Sequence, residues 1–142
     1  MPIPRKDYLA DLLREYTLVI VDSRGKILYY SKKGGIRPVV EAVLYEGEKI
    51  DKNIVADRVI GKAAAMVVAN RRPLYVFGLI MSTHARDFLE RRRISYGFGK
   101  IVDAIRTERG DLCPFERLVL GIDDPKEALE KIVENLGITK KS

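Results

Sequence analysis

The sequence contains a single cysteine, a single histidine and no tryptophan. One cysteine excludes an internal disulfide and any cysteine-rich zinc site, and one histidine leaves too few imidazoles for a histidine-based metal cluster. Neither a bound metal nor another cofactor is expected. Long apolar runs are lacking as well. The longest, residues 63–69, falls far short of the roughly 18 to 20 apolar residues that a spanning helix needs. Arg5 and Lys6 near the start are followed by no apolar core, which argues against a secretory signal. The expectation is a cytoplasmic domain with no membrane partner.

What is present suits one compact unit. The 142 residues, 46% of them hydrophobic, can bury a real core. One domain is expected over residues 1–139, followed by a frayed basic tail at 140–142. The formal charge of +6 allows non-specific attraction to nucleic acid or phosphorylated ligands. Solubility is the preferred explanation, because Arg71, Arg72, Arg91, Arg92 and Arg93 fall where helices should end and complement the helix dipole. High charge with little cysteine and no tryptophan points toward a thermophilic source.

Along the chain, Tyr8, Leu9, Leu12 and Leu13 share one face of a helix over residues 7–15. Two β-rich stretches, 17–21 and 26–31, flank the turn signal Asp22-Ser23-Arg24-Gly25 and predict a hairpin. After the break Lys32-Lys33-Gly34-Gly35, Pro38 suits the first turn of a helix that runs to Tyr45 and closes at Gly47. Residues 54–70 are apolar almost all round and predict a buried central helix. Residues 74–81 read as an interior strand covered on both faces. Ser82 or Thr83 can cap a helix over 84–93. A short strand at 94–97 and a helix over 98–106 follow. After the polar loop 107–111, Pro114 opens a helix to Leu120. Asp124-Pro125-Lys126-Glu127 is a capping box for a helix that stops at Gly137. The order implies an α/β fold, a mixed sheet with helices on both faces in a three-layer αβα sandwich.

The stretches Val55-Ala56-Asp57-Arg58-Val59-Ile60-Gly61-Lys62-Ala63-Ala64-Ala65 and Arg109-Gly110-Asp111-Leu112-Cys113-Pro114-Phe115-Glu116, with Ile122-Asp123-Asp124-Pro125, resemble a small bacterial and archaeal family of unknown function with a cytidine deaminase-like fold. The resemblance covers residues 16–129. True deaminases place a His/Cys-Ala-Glu at the start of the central helix and a Pro-Cys-x-x-Cys after the next strand, holding zinc and shuttling protons. By the resemblance, Val55-Ala56-Asp57 stands in the first place and Met81-Ser82-Thr83-His84-Ala85-Arg86 in the second. Valine ligates no metal and the second segment has no cysteine. Asp57 and His84 alone are too few for a zinc site, so zinc-dependent deamination is not expected.

The candidate site residues each carry two readings. Asp57 is either a ligand contact or a structural carboxylate, favoured by a helix start or paired with a nearby cation. Lys62 shares a helical face with Arg58 and could grip a phosphate or simply be solvated. Ser82, Thr83 and His84 lie beyond the carboxyl end of the interior strand, where ligands gather in open α/β sheets, and are also ordinary capping residues. Cys113 could be an activated thiol at a helix start or a small packing residue. Glu116 could join it, or cap its own helix, or pair with Arg109 or Arg117. The first expectation is a non-catalytic protein that binds a nucleotide or similar small ligand through Asp57, Lys62, Ser82, Thr83, His84 and Arg109. The second is a metal-free enzyme using Asp57, Cys113 and Glu116. The third is a basic nucleic-acid-binding module, for which no aromatic-rich basic motif is present. By resemblance, a homo-oligomer is expected.

Overall fold

The computed structural model describes residues 3–138, so the tail at 140–142 lies outside the described residues. The element order is α1 (Lys6–Glu15), β1 (Leu18–Val21), β2 (Ile27–Ser31), α2 (Arg37–Tyr45), α3 (Gly47–Ile50), β3 (Ile54–Ile60), α4 (Lys62–Val68), β4 (Tyr75–Ser82), α5 (Thr83–Arg91), β5 (Tyr96–Val102), α6 (Pro114–Leu118) and α7 (Pro125–Leu136). The five strands form one mixed sheet in the order β2-β1-β3-β4-β5. β1 runs antiparallel to both β2 and β3, whereas β3, β4 and β5 are mutually parallel.

Helices cover both faces of the sheet, as expected from the sequence. On one face, Leu9 and Leu13 of α1 pack on Val19, Val21, Ile54, Ala56, Tyr75 and Phe77. On the other, Leu18, Ile20, Val55 and Val76 meet the buried sides of α2, α4, α5 and α7. The hairpin, the capped start of α5 and the closing helix all lie where the sequence places them. Ser82 Oγ accepts a hydrogen bond from the Ala85 amide, Asp124 accepts one from the Glu127 amide, and Gly137 takes the left-handed conformation at the end of α7.

Three expectations are corrected. Residues 54–70 are not one helix: 54–60 are strand β3, Gly61 is the break, and only Lys62–Val68 is helical. A central parallel strand covered on both faces is continuously apolar, and a continuous apolar run is indistinguishable by periodicity from a buried helix. The β-branched residues Ile54, Val55, Val59 and Ile60 were the distinguishing signal. As a consequence, Arg58 and Lys62 share no helical face, and Asp57 belongs to a strand rather than a helix start. Second, residues 98–102 extend β5 instead of beginning a helix. Third, Gly47 opens α3 rather than closing α2.

The buried helix α4 poses a capping problem. Its residues Ala63–Val68 are all buried, and a helix start leaves backbone amides without partners. Gly61, at the N-cap, has no side chain to offer. The carboxylate of Glu116, on α6, fills the gap: Oε1 accepts from the Lys62 amide at 2.8 Å and Oε2 from the Ala63 amide at 2.7 Å. A Cβ built on Gly61 would lie 2.5 Å from Glu116 Cδ and 2.8 Å from Oε2, so only glycine admits the carboxylate. Lys62 adds a further tie through Nζ to the Val119 carbonyl oxygen at 3.2 Å.

The two residues are therefore expected to be energetically coupled. Gly61→Ala and Glu116→Ala should each destabilise by about 1–3 kcal/mol. The double variant should fall short of the sum by at least ~0.5 kcal/mol. Urea unfolding midpoints measure this cycle, and strict additivity would contradict the arrangement.

Candidate functional site

The alternation of β3 turns Asp57 and Arg58 to opposite faces. Arg58 points toward α1, where Nε donates to the Leu13 carbonyl at 2.6 Å and a terminal nitrogen donates to the Arg14 carbonyl at 3.1 Å. The guanidinium thus satisfies acceptors left open at the end of that helix. Asp57 points to the face carrying α2 and α4.

There it lines a cavity of about 480 Å³. The strand side contributes Thr17, Asp57, Arg58 and Val59, the loop before α2 contributes Gly34, Gly35 and Ile36, and the start of α4 contributes Gly61, Ala63 and Ala64. Ile105 and the segment Cys113-Pro114-Phe115-Glu116 close the remaining wall. The volume falls within the range of small-molecule sites, and the mixture of apolar walls with few polar groups is typical of them. Because Glu116 bonds to α4, the capping interaction also holds this last wall in place.

Asp57 is only 9% exposed. Among the described residues it takes one side-chain hydrogen bond, from the Val59 amide to Oδ1 at 3.3 Å. Oδ2 takes none, and since no buried side-chain polar atom among the described residues is without a partner, this oxygen keeps some exposure. Burial pushes the carboxyl up to about 7, opposed more weakly by the amides of Val59 and Arg58 and least by the Arg58 charge. A carboxyl near neutrality can act as hydrogen-bond donor or acceptor as its surroundings require.

The expected site residues separate into two groups. Asp57, Cys113 and Glu116 line the same cavity. The thiol of Cys113 is free and half-buried. Both oxygens of Glu116, however, are engaged by α4, so it neither caps its own helix nor pairs with Arg109 or Arg117. Lys62, Ser82, Thr83, His84 and Arg109 do not line the cavity. Lys62 is directed to Val119 and to Asp123, the latter at 3.9 Å. Ser82 caps α5, Thr83 Oγ1 donates to the Asp103 carbonyl at 3.1 Å, and His84 and Arg109 are exposed. Ser82, Thr83 and His84 follow the carboxyl end of β4, whereas the cavity opens beside β3. Thr17, the Gly34-Gly35 loop, Ile105 and Phe115 were missed as site residues. The paired glycines were the one available signal, read only as a chain break.

No group of three or more His, Cys, Asp or Glu side chains suited to a metal occurs among the described residues. No described helix is long and apolar enough to cross a membrane.

Comparison with known proteins gives a consistent result. The sequence profile described as a domain of unknown function, DUF1893, matches residues 9–136. The crystal structure of a DUF1893 family protein, TM1506 from Thermotoga maritima, is similar with a TM-score of 0.80 at 25% sequence identity, over 94% of this chain and 93% of that one. No curated protein matches.

The raised carboxyl sets a pH dependence with a definite sign. The unfolded chain loses the Asp57 proton near pH 4, whereas the folded chain keeps it to about 7. Between those values the folded state binds more protons, so this residue's contribution to stability falls as pH rises. Asp57→Asn removes that dependence. The stability of the variant relative to the parent should rise from pH 4 to 7 and level off above, by on the order of 4 kcal/mol in total. Chemical denaturation of both proteins across pH measures the difference, and a constant offset would contradict it.

Proposed function

Since the chain belongs to the DUF1893 family, we propose that it is a binding protein for a nucleoside, nucleotide or similar small organic ligand, held in the cavity beside Asp57 without zinc-dependent hydrolysis. The observation that carries this reading is a cavity of about 480 Å³ with a buried carboxyl whose second oxygen is unspent. The enclosure strips much of the water from this carboxyl, and a ligand that hydrogen-bonds to its exposed oxygen offsets that cost.

The relation to the cytidine deaminase-like fold is part of this proposal. The mixed sheet with helices on both faces supports it. With the helix boundary now at Lys62, the residues at the start of the buried helix are Gly61, Lys62 and Ala63. Gly61 and Ala63 have no side-chain donor atom, and Lys62 Nζ is turned to Val119. On that relation, the helix start where deaminases carry a metal donor and a proton shuttle meets here the Glu116 carboxylate, whose two oxygens accept from the Lys62 and Ala63 amides. This favours binding over hydrolysis.

The metal-free enzyme reading retains one supporting observation, the presence of Asp57 and Cys113 in the same cavity. It loses Glu116 to capping, and it loses the histidine, which is not among the cavity residues. The nucleic-acid reading gains nothing from the site, since Arg71 pairs with Asp51 and Arg91 with Asp123.

Thermal unfolding in the presence of nucleobases, nucleosides, nucleotides and nucleotide sugars tests the proposal. A true ligand at 100 times its Kd should add about 2.7 kcal/mol of stability. The same preparation should contain no stoichiometric zinc and should leave cytidine unchanged. Uridine production, or the absence of any stabilising compound, would overturn the reading.

A further inference from the structure

The charges around the cavity are unequal. Two carboxylates, Asp57 and Glu116, and one guanidinium, Arg58, contribute to its lining. Arg58 is bound to the carbonyl oxygens at the end of α1, beyond the opposite face of the sheet. Three lysines adjoining the lining segments in sequence are also engaged elsewhere. Lys33 Nζ bonds to Glu41 at 3.1 Å, Lys32 lies over the Tyr16 ring, and Lys62 is directed to Val119 and Asp123. Each oxygen of Glu116 already accepts a backbone amide. Among the described residues Arg58 is the one cation in the cavity lining, and its guanidinium is turned away, so a phosphate or carboxylate entering the cavity would face Asp57 with no lining cation to compensate it.

The opposite charge is well served. Oδ2 of Asp57 is a free acceptor in an apolar enclosure, where a charge-assisted hydrogen bond is stronger than in water. Phe115 adds an aromatic wall, a surface that cations favour. We infer that the cavity takes a small compound presenting an amidinium, guanidinium or ammonium group to Asp57, and that it rejects anions. The inference rests on the cavity being a small-ligand site and narrows that ligand's buried end. Any phosphate on the ligand stays outside.

Cys113 provides a reporter. It is the only cysteine and it lines the cavity, so the rate at which neutral iodoacetamide alkylates the full-length chain reports occupancy of this site. The probes are benzamidine and benzoate, planar molecules of similar shape and opposite charge. Benzamidine should slow alkylation and raise the unfolding temperature, and benzoate should do neither. Asp57→Asn should weaken the benzamidine effect about tenfold, the equivalent of one charged hydrogen bond. That variant is expected to fold at least as well as the parent. Protection by benzoate equal to or greater than that by benzamidine would overturn the charge preference while leaving the cavity as a ligand site. Benzamidine protection undiminished in Asp57→Asn would overturn the role of Asp57. If neither probe protects Cys113, the inference fails. The broader binding proposal falls with it only if the nucleoside and nucleotide series also fails to stabilise the chain.

Discussion

The structure depends on how the amino end of one buried helix is satisfied. α4 is surrounded by α2, α5, α6, α7 and the sheet, and every residue from Ala63 to Val68 is buried. A buried donor without a partner costs about 1–3 kcal/mol. Glu116 answers two of them from 53 and 54 residues away in sequence, and Gly61 makes room by having no side chain. A local serine or aspartate cap would have satisfied the helix alone. A distant glutamate does so while drawing α6 and the residues before it against β3 and α4.

That long-range bond creates the cavity wall. Cys113, Pro114 and Phe115 lie where they do because the next residue is anchored. Asp57 is thereby enclosed, and its ionisation is set by the enclosure more than by the single nearby charge, Arg58, which is held on the other side of the sheet. The same carboxylate interaction that stabilises the helix thus shapes a site in which another carboxyl has lost most of its water. Retaining a carboxyl in such a place costs stability at neutral pH, and a hydrogen-bonding ligand is the simplest compensation.

Much of this was legible in the sequence, for identifiable reasons. The hairpin, α5 and α7 were marked by turn residues and caps whose chemistry is local: Asp22 to Gly25, Ser82, and Asp124 with Gly137. β3 was not, because its residues see apolar neighbours on both faces and lose the alternation that identifies a half-exposed strand. The cavity was legible in part. Asp57 stood out as a carboxylate among apolar residues, and the stretch from Arg109 to Glu116 stood out as a motif, so three of the residues singled out meet in one place. Lys62, Ser82, Thr83, His84 and Arg109 did not join them. The assignment of Lys62 assumed a helix where β3 runs, and that of Ser82, Thr83 and His84 a ligand at the end of β4. The partnership of Glu116 with Gly61 was invisible, since it is a contact between distant segments.

The state of Asp57 tests the account most directly. Carbon NMR of its side-chain carboxyl, followed across pH in the unliganded protein, should give a titration midpoint near 7, moving toward ordinary carboxyl values in Glu116→Ala as the wall loosens and water enters. A midpoint near 4 in the parent protein would contradict the enclosed carboxyl, and with it the ligand site proposed around it.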